Sequence, residues 1–454
     1  MSQTGLDLTK LPPALKGKVI LDKDVLNAYS SDILSNVSGQ AGGVVRVTDA
    51  DDVHSLVSWA LSESVPIVAR GGGSSLDGEC VPFGGAVVVD FATHLNKIID
   101  IDKENMLALV QPGLINRELN RRLEEHGLFF PPNPGSWEIS TVGGNVSTNA
   151  AGPRSYRYGS TKSWVQAIDA VLGTGKRVWY GTRARKSSSG LDMVRLLAGS
   201  EGTLGIFTSI LLRLAPLPQK RVGVTIALPD IEAATKAVVK LAHSPFIAIS
   251  AIEFLDESCI DALNSVYSSS LPESPSLLML EIESTASGES EVLSSLLDML
   301  TEFGPMGEPL YFDDANAMWD LRGKTTLALE KLYGPRFRDD VAVPVSRFPE
   351  LVQGSRKIFS NTALHPSFFG HAGDGNLHLE FNRNLLSKSK LDALLSSLYS
   401  LTVDLGGTLT GEHGIGSSKL PYLKMEIGGA ALNSMRQIKM ALDPKGILNP
   451  GKGY

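Results

Sequence analysis

The chemistry of this chain concentrates in Gly370 to Phe381, which reads GHAGDGNLHLEF. His371 and His378 flank Asp374-Gly375, and an Asp-Gly pair between strand-forming residues predicts a two-residue hairpin turn. Residues equidistant from such a turn face each other, so the two imidazoles are expected as direct cross-strand partners. Their β-carbons would then lie about 5 Å apart. That span lets two ring nitrogens hold one divalent metal at roughly 2.0–2.1 Å each. A third ligand is expected from Gly411-Glu412-His413-Gly414, where a carboxylate and another histidine stand between glycines. Neighbours in a regular strand point to opposite faces. For Glu412 and His413 to serve one site the backbone must be irregular there, which glycine permits. A turn bearing histidines can also do no more than satisfy its own hydrogen bonds. Three of the eight histidines fall in these two segments, however, and packing does not explain that concentration.

The second chemical signal is Arg70-Gly71-Gly72-Gly73-Ser74-Ser75-Leu76-Asp77-Gly78. Consecutive amides unshielded by side chains form an anion nest, a common way to hold a pyrophosphate. The run lacks the Gly-Lys-Ser/Thr ending of a nucleotide-hydrolysing loop, and its glycines do not follow the dinucleotide fingerprint. Alone it would read as a flexible surface loop. It is followed by Pro131-Pro132-Asn133-Pro134-Gly135-Ser136, Thr141-Val142-Gly143-Gly144-Asn145, Asn149-Ala150-Ala151-Gly152 and Arg157-Tyr158-Gly159. So many small polar residues with so few charges suit a buried loop that hydrogen-bonds a large heterocycle.

The elements that must position these residues follow from periodicity. A helix is expected over Lys23 to Leu34, a strand over Gly43 to Val47, and a helix capped by Asp49 with Val53, Leu56, Val57 and Ala60 on one face. Val65 to Ala69 completes a β-α-β unit that leads into the glycine run. Strands at 86–91, 97–101 and 107–111, a helix from Ile115 to His126 stopped by Gly127, and strands at 164–172, 177–180 and 207–214 come next. Pro216-Leu217-Pro218 reads as a domain boundary. Beyond it strands at 222–228, 249–254, 277–282 and 310–312 alternate with helices at 231–242, 258–266, 291–303 and 315–332. Two further helices are expected at 386–405 and 431–442.

With 454 residues, 43% apolar and 20% charged, the chain is expected to form two or three soluble domains. A net charge of −7 without a basic block leaves no footprint for nucleic acid or an anionic membrane. Two distant cysteines make no disulfide framework, and the N-terminus has no apolar signal region, so a cytoplasmic setting is expected.

The order Arg-Gly-Gly-Gly-Ser-Ser, Pro-Pro-x-Pro-x-Ser, Thr-Val-Gly-Gly-Asn, Arg-Tyr-Gly, Gly-Ser-Glu-Gly-Thr-Leu-Gly-Ile, His-Ala-Gly-Asp-Gly-Asn-Leu-His, Gly-Glu-His-Gly and a terminal Asn-Pro-Gly-Lys resembles the FAD-linked D-2-hydroxy acid dehydrogenases. These include glycolate oxidase, D-lactate dehydrogenase and D-2-hydroxyglutarate dehydrogenase, among the vanillyl-alcohol-oxidase-type flavoproteins. The resemblance runs from about Asp24 to Tyr454. It implies an α+β protein: a two-subdomain FAD-binding domain (1–217, core about 40–217), a substrate or cap domain with a largely antiparallel sheet (218–417), and a C-terminal segment (418–454) returning to the FAD domain.

By the same resemblance Arg70, Gly71, Gly72, Gly73, Ser74, Ser75 and Asp77 would hold the FAD pyrophosphate. Pro132, Ser136, Thr141, Gly144, Asn145, Asn149, Gly152 and Tyr158 would line the flavin, with Glu201, Gly202, Ile206 and Asn449 completing the pocket. Some relatives tether the flavin through a histidine in the glycine loop; here serines stand there, so FAD is expected to be non-covalent. His371, His378 and Glu412 would be metal ligands and His413 the base. Two histidines and one glutamate suit zinc, with iron and manganese as alternatives. Arg322, with Thr326 one helical turn on and Arg338 assisting, would bind the substrate carboxylate. Glu380 stands where the hydroxyglutarate enzyme has an uncharged amide. It would repel a second carboxylate, favouring lactate or glycolate unless it is paired or turned away. The absence of an iron–sulfur cysteine cluster implies a separate electron acceptor: a quinone, a cytochrome, an electron-transfer protein or oxygen. A contact with the inner face of the membrane would come only through that acceptor. A homodimer is compatible with the sequence, and a non-redox transferase of the alkyl-glycerone-phosphate synthase type is the competing function.

Overall fold

A computed structural model describes residues 10–33, 37–244, 248–284, 289–360 and 362–454. The chain divides into two compact units. One comprises Met1–Ala151, Gly159–Leu217 and Glu412–Tyr454; the other comprises Gly152–Tyr158 and Pro218–Gly411.

In the first unit β1 (Val19–Ile20) precedes α1 (Lys23–Ala28). The expected helix to Leu34 ends early, because the Ser30 hydroxyl donates to the Leu26 carbonyl and competes with the helical ladder. Leu34 itself lies outside the described residues. Next come β2 (Gly43–Arg46), α2 (Ala50–Glu63), β3 (Ile67–Arg70) and β4 (Val87–Asp90). The Asp49 carboxylate caps α2 by accepting from the amides of Asp51 and Asp52. β4 pairs parallel with both β2 and β3 and is buried throughout, as its run of three valines requires of a central parallel strand. A second sheet, entirely antiparallel, orders β5 (Ile98–Asp102), β6 (Leu107–Val110), β9 (Gly205–Arg213), β7 (Val165–Leu172) and β8 (Arg177–Gly181). Between β6 and β7 lie α3 (Asn116–Glu124) and the short α4 (Val142–Thr148). The C-terminal segment lies beside β3, where the Ile67 amide donates to Ile447 and the Asn449 amide to Ile67, both at 2.8 Å.

Among the described residues the second unit is built on one sheet with antiparallel pairings only. Its order is β13 (Leu310–Phe312), β10 (Lys220–Leu228), β12 (Ser276–Ser284), β11 (Ile249–Asp256), β15 (Ser367–Gly370), β16 (Asn376–Asn382) and β14 (Arg336–Ala342). Helices α5 (Ile231–Ala242) and α6 (Glu257–Tyr267) stand where the periodicity puts them. The expected helix 315–332 is instead two, α7 (Ala315–Arg322) and α8 (Thr325–Tyr333). Gly323 weakens the ladder, and the Thr325 hydroxyl takes the Arg322 carbonyl at 2.7 Å. Two elements had no clear sequence signal: β14, whose RFRDDVA is dense in charge, and α9 (Phe348–Phe359). The carboxylates of β14 are buried and engaged. Tyr399 donates to Asp339 at 2.6 Å and Thr410 to Asp340 at 3.2 Å. The later helices are α10 (Lys388–Asp404) and α11 (Leu423–Leu442), the latter broken at Gly428, where φ is 74°. No described helix is long and apolar enough to cross a membrane.

The hairpin register corrects the expected one. His378 faces Phe369, not His371, and Ser367 faces Glu380. Asp374-Gly375 is not a two-residue turn: Ala372–Asp374 form a 3₁₀ turn, and the Gly375 amide donates to the Ala372 carbonyl at 2.9 Å. The shift leaves His371 two places beyond the direct partner of His378. His371 lies just past the end of β15, yet its ring still meets that of His378. Gly375 closes the turn at φ 70°, and a β-carbon there would lie 2.0 Å from the Val343 carbonyl oxygen. Gly375→Ala should therefore lower the unfolding free energy by more than about 1 kcal/mol. Urea denaturation would read this as a lower midpoint at unchanged slope.

Candidate active site

The first unit carries a backbone cradle. Leaving β3, the loop presses against Ile139–Thr141: a β-carbon on Gly71 would meet the Thr141 hydroxyl at 2.1 Å, and one on Gly72 the Ile139 carbonyl at 2.0 Å. Gly73 needs φ 68°. Thr141 caps α4 by accepting from the Gly144 amide at 3.2 Å, and Asn149 ends α4 in the left-handed conformation. Beside this cradle the side-chain nitrogen of Asn145 and the hydroxyls of Ser140 and Ser200 are buried with no hydrogen-bond partner among the described residues. Unpartnered buried groups of this kind fit a large polar cofactor that would complete them.

Other expected cofactor residues hold the loops of this unit together. The Arg70 guanidinium donates to the Ser31 carbonyl at 2.8 Å and lies over the Tyr29 ring, while Ser75 donates to Asp32 at 3.1 Å and Ser74 is half-buried. The Pro132 carbonyl accepts from Asn116 at 3.0 Å, and the Ser136 carbonyl accepts the amides of Ile139 and Ser140. The Asn449 side chain donates to the carbonyls of Glu79 and Glu201 at 2.8 and 2.6 Å. Gly202 turns at φ 69°, and Ile206 lies in the apolar core. The Glu201 carboxylate accepts the amides of Ile415 and Gly416 at 2.7 and 3.0 Å, and the Asp77 carbonyl accepts those of Ser417 and Ser418. The segment that begins at Glu412 and His413 is thus tied to the glycine loop. Gly414, at φ 95°, leaves no room for a β-carbon, which would meet Glu79 at 2.7 Å and Glu201 at 3.0 Å. Glu79, Asp32 and Lys452 were not singled out from the sequence. Burial, with the charges of Glu201 and Asp77, pushes the Glu79 carboxyl well up, and burial lowers Lys452 to about 8.

The imidazole pair belongs to the second unit. The rings of His371 and His378 are buried and meet edge to face, their centroids 5.0 Å apart. The His371 Nδ1 pairs with the carboxylate of Glu253 on β11, so Nε2 is the nitrogen a metal would take. The other Glu253 oxygen accepts from Arg322 Nε at 2.6 Å, and the Arg322 guanidinium lies 4.6 Å above the ring of Phe369. Burial alone would raise the Glu253 carboxyl; His371 and Arg322 outweigh it and hold the group at about 2. A carboxylate inside the apolar strand ISAIEFLD was the signal that could have revealed Glu253.

Arg322 pairs with Glu253, whereas Thr326 and Arg338 meet at Glu380. Thr326 donates to Glu380 at 2.6 Å, and Arg338 stands 3.4 Å from Glu380 and 2.8 Å from Glu330. Glu380 is therefore paired and buried, and burial raises its carboxyl. Gly152 and Tyr158 fall in the seven-residue segment that belongs to the second unit. The Tyr158 hydroxyl donates to Glu283 at 2.6 Å, and burial together with that carboxylate pushes it up to about 12. Gly411, in the second unit, sits against the Asn376 side chain, and Glu412 follows it directly in the chain.

In the same segment Arg154 grips the buried Glu281 with two hydrogen bonds at 2.8 and 2.9 Å. Burial opposes ionisation of Glu281, but Arg154 and then Arg221 bring it to about 2. A folded-state value below the ordinary 4.5 means stability that is complete above about pH 4.5 and lost as pH falls toward 2. Glu281→Gln should thus be less stable than wild type at pH 7 by about 3 kcal/mol. That gap should close on acidification across this window, as followed by tryptophan fluorescence.

Comparison with known proteins gives a consistent set of relatives. Residues 41–181 match the FAD binding domain family, and residues 217–453 match the FAD linked oxidases, C-terminal domain. The chain is 33% identical over 435 residues to the glycolate oxidase subunit GlcD of Bacillus subtilis, covering 94% of this chain and 92% of that protein. It is 31% identical to a D-lactate dehydrogenase of Anaerostipes hadrus, covering 90% and 88%. Among solved structures, p-cresol methylhydroxylase with substrate bound superposes with a TM-score of 0.78 at 16% identity, covering 96% of this chain and 94% of that one. That likeness bears on the fold, which is of the vanillyl-alcohol-oxidase type.

Proposed function

Because this chain belongs to the FAD-linked oxidases, we infer that it oxidises a small D-2-hydroxy acid, D-lactate or glycolate first among them, to the 2-oxo acid. Bound FAD would accept the hydride from C2, and a divalent metal, zinc first with iron and manganese as alternatives, would polarise the substrate hydroxyl. The amides of Gly71 to Ser75 would hold the pyrophosphate. Asn145, Ser140 and Ser200 would offer their unpartnered polar atoms to the rest of the cofactor.

His371, His378 and Glu412 would be the metal ligands, with Glu253 keeping His371 in the tautomer that presents Nε2. His413 would take the hydroxyl proton on a ring nitrogen as the hydride leaves C2, which accounts for both electrons and both hydrogens. Arg322 would meet the substrate carboxylate. The observation that carries this reading is the relay of His371, Glu253 and Arg322, in which one buried carboxylate orients both an imidazole and a guanidinium. Glu380 favours a monocarboxylate by a route other than repulsion. It engages Thr326 and Arg338 and so would keep Arg338 from binding a second carboxylate, while Arg322, held by Glu253 through Nε, would offer its other N–H groups to the substrate. A separate quinone, cytochrome or electron-transfer protein would take the electrons onward. The setting that fits is the cytoplasm.

The test is anaerobic. D-lactate or glycolate should bleach the flavin absorbance of the purified protein, chelator should suppress bleaching, and zinc or manganese should restore it. His413→Ala should slow bleaching roughly 10²–10⁴-fold with FAD retained; an unchanged rate would remove His413 as base. Bleaching by D-2-hydroxyglutarate alone would overturn the substrate choice. A yellow, metal-loaded protein bleached by none of these acids would favour the transferase reading.

A further inference from the structure

The residues on either side of Gly152–Tyr158 belong to the first unit, yet this segment is part of the second. Its side chains hold two features of that unit. Arg154 is fixed to Glu281 on β12, a carboxylate that also accepts from Trp319 Nε1 and from the Ser250 hydroxyl, both at 2.6 Å. Arg157 and Tyr158 reach Glu283 on the same strand at 3.2 and 2.6 Å. The two residues between grip the 3₁₀ turn that separates His371 from His378. The Ser155 hydroxyl lies 2.6 Å from the Asp374 carboxylate. Tyr156 fills the space over Gly373, where a β-carbon would meet its ring at 2.7 Å. Asp374 in turn donates its amide to the His371 carbonyl at 3.0 Å.

We propose that Gly152–Tyr158 is a strap that sets the geometry of the His371–His378 pair, with Ser155 and Tyr156 as positioning residues for metal binding. The inference rests on the metal reading above. His371 then has two supports. Glu253 orients its ring, and the strap, through Asp374, places its backbone. Both supports trace to adjacent strands, since Glu253 on β11 lies opposite Met279, two residues before Glu281 on β12. A single 3₁₀ turn is held by few i→i+3 hydrogen bonds of poorer geometry than an α-helix has, and ligand distances tolerate only about 0.2 Å. A contact one shell out therefore governs affinity, typically 10–100-fold.

The test uses the full chain loaded with FAD. Mn²⁺ affinity and the EPR spectrum of bound Mn²⁺ are measured for wild type, Ser155→Ala, Ser155→Thr and Gly373→Ala. Ser155→Ala should weaken Mn²⁺ binding about tenfold and change the spectrum, and Gly373→Ala should weaken it further. Ser155→Thr keeps the hydroxyl and should bind as wild type does, with FAD absorbance equal in all four. Wild-type affinity and spectrum in both Ser155→Ala and Gly373→Ala would overturn the strap while leaving the metal site in place. A wild type that binds no Mn²⁺ or Zn²⁺, or a His378→Ala variant that binds them equally well, would remove the metal reading and the strap with it.

Discussion

A carboxylate with no exposed surface must be paired, because an isolated charge taken out of water costs several kcal/mol or more. Glu253 meets that demand with two partners, the His371 imidazole and the Arg322 guanidinium. One constraint thereby sets three things: the ring nitrogen of His371 that faces outward, the direction of Arg322 at the end of α7, and the ionised state of Glu253 itself. Moving any member would leave a buried charge without compensation. The pair of imidazoles, the ring of Phe369 and the guanidinium above it consequently form one connected arrangement.

The same device recurs across the sheet of the second unit. Glu281 is held by Arg154, Trp319 and Ser250; Glu283 by Arg157, Arg221 and Tyr158; Glu380 by Thr326 and Arg338. Buried ion pairs of this kind are a poor source of net stability compared with apolar packing. Their strength is orientation, since a bidentate guanidinium and carboxylate admit few geometries. The first unit solves its problem differently. There backbone amides are the proposed binding surface, glycines let the loops press closely on one another, and carboxylates such as Glu201 hold loops together through amides. A sheet of oriented charges suits a small polar substrate, and a cradle of amides suits an anionic cofactor, which is the division of labour expected of an FAD-linked oxidase.

Much of the framework was readable from periodicity and composition. The helix capped by Asp49, the strands flanking the glycine run and the helix over Ile231–Ala242 follow from local spacing and stand as expected. The need for irregular backbone around Glu412 was also legible, and Gly414 meets it with a positive φ. What misled was the turn. Asp-Gly between strands is a local signal for a two-residue loop, whereas the chain takes a longer 3₁₀ form whose Gly375 packs against Val343, a neighbour brought to it only by folding. The strand Arg336–Ala342 was illegible for a related reason: its charges read as solvent-facing until their partners are known.

Which residue types could bind an anion, hold a metal or move a proton is legible without the fold, because those capacities belong to single side chains and to glycine's freedom of backbone. So is the family, through motifs kept in order along nearly the whole chain. Which groups engage one another is set by folding. Glu253 is 118 residues from His371 and 69 from Arg322, and Thr326 is 54 from Glu380. The charge a buried carboxylate carries, and whether it repels, orients or neutralises, depends on partners brought to it by folding. Side-chain chemistry is local to the residue, but its electrostatic surroundings are a property of the fold.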